Sequence, residues 1–139
     1  MKALMLLMVL LGIAAIIAPR FAPEEQGGGV QAVAMNYAVY RNAAFLYALK
    51  NRPAGIIPQN LLELPSEWQA LRSWSARVES GRCYVFGPAS AEEISAARDL
   101  FQGSFAVGRA ENGLLMPDGR TPLPGFVPGG SLVSVIEVR

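Results

Sequence analysis

Cys83 is the one thiol in the chain and histidine is absent, and these two facts decide most of what its reactive side chains could do. A serine or cysteine nucleophile of the common kind needs an imidazole to take its proton, and a structural zinc site needs a set of thiolate and imidazole ligands. Neither can be assembled here. A single cysteine also excludes a disulfide within the chain, and with no imidazole to lower its pKa it reads as a small packing residue of a strand. The carboxylates remain. Glu92 and Glu93 are adjacent, but they follow Ser90 at the start of a helical pattern. Acidic side chains there complement the helix dipole, and Ser-x-x-Glu is a capping box. Asp99 and Asp118 fall on different predicted elements, without the spacing of a metal-binding loop. Gly27 to Gly29 are not followed by the Lys-Ser/Thr pair that grips phosphates. A hydrolytic reading would rest on scattered serines and glutamates alone. The expectation is a protein that is not an enzyme, with no catalytic residues, no metal, no cofactor and no small-molecule substrate.

Charge points the same way. Twelve basic residues stand against eleven acidic ones, and Arg41, Arg52, Arg72, Arg77, Arg82, Arg98 and Arg109 are spread singly along the chain. A solvated surface looks like this; a stripe that tracks phosphates does not, so no nucleic-acid partner is expected. With 52% hydrophobic and 17% charged residues, the chain has the composition of a packed core.

Part of that apolar content is concentrated at the start. Ala3 to Ala18 carries no polar side chain, with Lys2 before it and Pro19-Arg20 after it. The run falls just short of the roughly 17 to 20 helical residues that cross a hydrocarbon core. The preferred reading is an uncleaved signal-anchor over residues 1–22. The alternative is a cleaved signal peptide, for which the site is poor: a cut after Ala18 puts Ile16 where a small residue is wanted and Pro19 just beyond. No cysteine follows the run, so a lipoprotein anchor is excluded, and no Gly-Phe or Gly-Met precedes it as in a prepilin. Lys2 ahead of the run, and Glu24 and Glu25 offsetting Arg20 after it, place the rest of the chain outside the cytoplasm.

The elements beyond the anchor follow from spacing. Residues 23–29, PEEQGGG, read as a flexible linker, and residues 30–139 as one periplasmic domain. No Gly or Pro occurs from Val30 to Lys50, and Val30, Val33, Tyr37, Tyr40, Ala44 and Tyr47 share one helical face. That stripe packs on the domain's own sheet or, alternatively, forms a coiled-coil seam with another membrane protein. Pro53 ends the helix. Between Ile56 and Trp74, Pro58 and Pro65 allow a short turn and then a short helix starting near Pro65, with Leu64, Trp68 and Leu71 on one face. A hairpin over Ala76 to Phe86 turns at Ser80-Gly81, and a helix over Ser90 to Gln102 stops at Gly103. A second hairpin, Ser104 to Met116, turns at Asn112-Gly113. A proline-rich connection without ladder bonds leads to an alternating strand over Ser131 to Val138. The fold class expected is α+β: an N-terminal membrane helix, then a long helix and shorter helices packed on an antiparallel sheet of four or five strands.

The order of these segments, with NYAVYRNAAFLYA in the long helix, then LP-x-x-W, ES-GRCYVFG, FAVGRAENGLLMP and PGGSLVSVIEV, resembles the small PilM family of conjugative-plasmid thin pili. The resemblance spans most of the chain. It implies an inner-membrane component needed to build a type IV thin pilus, which holds mating cells together in liquid. A larger, actin-like cytoplasmic protein shares the PilM label, but this chain has neither its length nor a nucleotide motif. The resemblance supplies no chemical signature to map onto single residues.

The functional expectation is thus an accessory component of pilus assembly, a membrane-anchored module that binds other assembly proteins or pilin. Trp68 and Trp74 read first as core or half-buried packing residues, and together with Tyr37, Tyr40 and Tyr47 they are the candidate partner surface, as large aromatic side chains dominate interfaces. An unprocessed pilin-like structural subunit is the alternative.

Overall fold

The computed structural model describes residues 25–138. Helix α1 (Glu25–Asn51) is followed by β1 (Gly55–Ile56), a 3-10 turn at Gln59–Leu61, β2 (Ser75–Glu79), β3 (Arg82–Gly87) and helix α2 (Ala91–Leu100). The chain then forms β4 (Val107–Glu111), β5 (Leu114–Met116), β6 (Thr121–Pro122) and β7 (Leu132–Glu137). One seven-stranded sheet has the order β1-β2-β3-β7-β4-β5-β6 with every neighbouring pair antiparallel. The architecture is α+β.

Each hairpin turn has two central residues at positive φ, Ser80 and Gly81 in one and Asn112 and Gly113 in the other. That geometry matches the right-handed twist of the flanking strands, so these turns fix register by local chemistry. The hairpins do not pair with each other. β7 enters between β3 and β4 and bonds to both, so the last strand closes the middle of the sheet.

Register divides the sheet into two faces. Ala76, Val78, Cys83, Val85, Leu132 and Ser134 face the helices, where they join Tyr37, Tyr40, Ala44, Ile94 and Ala97 in the main core. On the other face, Ala110, Leu115, Val127 and Val133 form a smaller cluster, covered by the proline-rich segment through Leu123 and Phe126. Phe126 stands edge-on to Tyr84, with the Arg77 guanidinium 4.3 Å from its ring centre. The two layers differ in kind: helices seal one side, an irregular segment the other.

Four expectations need correction. The sheet has seven strands instead of four or five, because β1 and β6 are two-residue strands, too short to show alternation in sequence. β6 even includes Pro122, inside the connection expected to carry no ladder bonds; an edge position tolerates it. α1 begins at Glu25, so the expected linker is helical from residue 25 to 29. Each glycine costs a helix about 1 kcal/mol, yet extending a helix already held by its neighbours adds only small increments. Finally, no helix starts at Pro65. Residues 65–74 form turns and bends along α1, with Leu64 and Trp68 half-buried and Leu71 exposed.

The expected anchor over 1–22, with residues 23 and 24 of the linker, lies outside the described residues. Among the described residues no helix is long and apolar enough to cross a membrane.

Candidate interaction surfaces

α1 ends where Arg52 turns to positive φ ahead of Pro53, and it lays Tyr37 and Tyr40 against the sheet and the 62–74 segment. Tyr37 is fully buried. Its hydroxyl donates to the Val85 carbonyl at 2.8 Å and lies 2.6 Å from Ser134 Oγ, tying α1 to β3 and β7. Burial holds the Tyr37 hydroxyl far above its ordinary pKa, against the smaller opposing effect of the Ser134 hydrogen bond. Trp74 meets the Tyr37 ring edge-on at 5.0 Å and donates its Nε1 to Asn36 Oδ1 at 2.7 Å. Tyr40 stacks on Trp68 at 5.9 Å, and burial pushes its pKa up to about 12.

The candidate aromatic surface is therefore divided by the structure. Tyr37, Tyr40 and Trp74 are core residues, so the stripe packs on the domain's own sheet, as the first reading of it expects, and these three leave the candidate partner surface; the 62–74 segment and the sheet already occupy their faces. Tyr47 and Trp68 are half-buried and packed against the same core. Trp68 Nε1 is buried without an acceptor among the described residues. An aromatic stripe on a helix cannot announce which side it faces.

The chemistry-bearing residues are held in structural roles. Cys83 is buried in β3 facing the helices, and burial pushes its thiol pKa up to about 12, so it stays protonated near neutrality. Glu93 accepts from the Ser90 backbone N–H through Oε1 at 3.0 Å, while Ser90 Oγ accepts from the Glu93 N–H at 3.1 Å. Its other oxygen accepts from Arg72 at 2.7 Å. No group of three or more metal-ligating side chains exists among the described residues.

Part of the outward apolar surface lies at an edge of the sheet. One end of the sheet finishes in β6, where Pro122 lacks an N–H to offer another strand. The other end finishes in β1, which covers only part of β2 and carries Ile56 at 70% exposure. Beside it a shallow cleft of about 470 Å³ is lined by Arg52, Ala54, Gly55, Arg77, Glu79 and Val138. Ile56 and this cleft were missed by sequence reasoning, because a two-residue edge strand leaves no periodic signal.

The decisive comparison is with a family model. PilM matches residues 5–135, nearly the whole chain. The chain belongs to the PilM family. As a PilM protein it falls among proteins of pilus biogenesis. A crystal structure assigned to a PilM protein from Escherichia coli B7A superimposes with a TM-score of 0.62 over 84% of this chain and 98% of that one. At 21% identity that likeness shows the PilM fold alone. No curated protein matches the chain.

Proposed function

We propose that this PilM protein is an accessory component of type IV thin pilus assembly in a conjugative system, a binding module with no catalytic activity of its own. It sits in the bacterial inner membrane through a single N-terminal segment, with the α+β domain in the periplasm. The family match over residues 5–135 carries this reading. The apolar run Ala3 to Ala18, which that match includes for most of its length, supports the anchor.

The partner side of the proposal lies at the open edge of the sheet. An extended segment of a pilus assembly protein or of pilin adds to β1, gaining main-chain hydrogen bonds there and covering Ile56. Closure of the opposite edge by Pro122 makes β1 the accessible edge for strand addition.

In-frame deletion of the coding region, scored by surface pili and mating frequency in liquid, tests the assignment. Pili should be lost and return with the full chain, and should not return with a version lacking residues 1–22 behind a cleavable signal. Unchanged pili and mating would overturn the pilus role, and recovery of the protein within sheared, purified pili would replace it with the pilin-like alternative. An Ile56→Lys variant with a native far-UV spectrum should fail to restore pili; full restoration would move the docking site away from β1.

A further inference from the structure

α1 carries a second apolar stripe, on the side opposite the one buried against the sheet. Ala32, Met35, Val39, Asn42, Leu46 and Leu49 follow a 3-4-3-4-3 spacing, the a and d positions of a heptad. At 100° per residue Val39 and Leu46 point away from Tyr37, Ala44 and Ala48, all of which are fully buried. Met35 is already covered within the chain, so the free seam runs from Val39 to Leu49. Leu46 and Leu49 are 54% and 50% exposed, while Val39 and Asn42 are half-buried. A globular surface helix normally turns charged residues outward. Here the seam positions themselves hold no charged residue before Lys50, and the nearest charge is the Arg41 guanidinium, which donates to Asn42 Oδ1 at 3.4 Å and lies 4.6 Å from the ring centre of the buried Phe45.

We infer that this seam pairs with the same seam of a second copy of the chain, α1 against α1, parallel and in register. The a/d spacing selects a helix as the occupant, since knobs of one helix fill holes between the same positions of another. The chain outside the structure selects a second copy and its direction. The apolar run ends at Ala18 and α1 begins at Glu25, so two copies anchored in one membrane would extend α1 from it side by side, both pointing the same way. This step rests on the anchored reading proposed above. A parallel in-register pair sets each residue against its own counterpart, and with no charged residue at the seam positions from Val39 to Leu49 it brings no like charges together there. Asn42 in the middle of the seam meets its own counterpart at the two-fold axis, where a paired polar side chain penalises a slipped register. The seam is short, so membrane anchoring, which raises local concentration, is part of what holds the pair together.

The test uses the full chain in its own membrane, with Cys83→Ala as background and single cysteines at Asn42, Leu46 or Leu49. Gln59 and Arg120, both exposed and outside α1, serve as control positions, Arg120 lying beside β6 at the far end of the sheet. Mild oxidation should give disulfide-linked dimers from N42C, L46C and L49C and only monomer from Q59C and R120C. Adding Leu46→Glu to L49C should abolish its dimer, and circular dichroism of the purified variant guards against misfolding as the cause. Monomer at every seam position, equal cross-linking at the controls, or adducts only with a different protein would overturn the pairing. Pili scored in the same strains separate the two claims. Dimers that form in cells whose piliation never depended on the protein would refute the pilus role and leave the pairing intact, and pili supported by a monomeric chain would do the reverse.

Discussion

Residues 65–74 and 90–101 begin alike and fold differently. Ser66-Glu67-Trp68-Gln69 and Ser90-Ala91-Glu92-Glu93 both carry the Ser-x-x-Glu/Gln pattern that starts helices. The second becomes α2 with both capping-box bonds made, and its small Ala96 and Ala97 let it lie close to α1. The first becomes irregular chain, and its two tryptophans explain why. Trp68 stacks on Tyr40 while Trp74 packs against Tyr37, and those tyrosines share one face of α1. Six residues apart on a helix, the tryptophans would point about 120° from each other, so a helix could bury only one of them on that face. Irregular chain brings both onto it, Trp74 buried and Trp68 half-buried, and Asn36 satisfies the backbone groups thereby freed. Its Nδ2 donates to the Gln69 carbonyl at 2.8 Å, and its Oδ1 accepts from the Leu71 N–H at 2.9 Å as well as from Trp74 Nε1. A local helix signal yields when large side chains gain more from a tertiary contact than the helix returns.

The largest expected effect on this contrast comes from Trp74→Ala, which should cost about 4 kcal/mol of unfolding free energy by emptying the space beside Tyr37. Chemical denaturation measures it, and a loss under about 1 kcal/mol would mean that the tryptophan does not organise the segment. Asn36→Ala should cost about 2 to 3 kcal/mol and raise amide exchange in residues 66–74 while leaving α2 protected. Equal exchange increases in both segments would erase the distinction. Ser90→Ala should do the opposite, costing about 1 kcal/mol and fraying the first turn of α2 without touching residues 66–74. The Arg72–Glu93 pair joins the two segments, but the Arg72 side chain is 40% exposed. Arg72→Met should therefore cost no more than about 1 kcal/mol, and a larger loss would show that the two segments stabilise each other through it.

The legible parts of the fold were those with local causes. Ser90 and Glu93 announce α2, Asn112-Gly113 announces its hairpin, and Gly-free, Pro-free sequence from Val30 to Lys50 announces the body of α1. The rest needed contacts distant in the chain. The β1 strand exists because Gly55 and Ile56 happen to lie against Val78 and Arg77, and Trp74 seats where it does because Gly87 has no Cβ to drive into its ring. The candidate surface suffered most. Aromatic side chains are equally suited to a core and to an interface, and burial assigned Tyr37, Tyr40 and Trp74 to the core, while the exposed Leu46 and Leu49 share the helical period of the buried stripe and Ile56 sits in a strand too short to show one.

By itself the sequence determined that no histidine chemistry and no disulfide within the chain are possible, that the class is α+β, and where α2 and the two hairpins lie, because composition and turn chemistry act within a few residues. It also carried the family texture that the PilM match bears out. Only the tertiary structure decided that β7 fills the centre of a seven-stranded sheet, and which of two heptad-spaced stripes on α1 turns inward. The physical reason is that both stripes satisfy the same helical period, so the choice between them falls to the surface that the sheet presents.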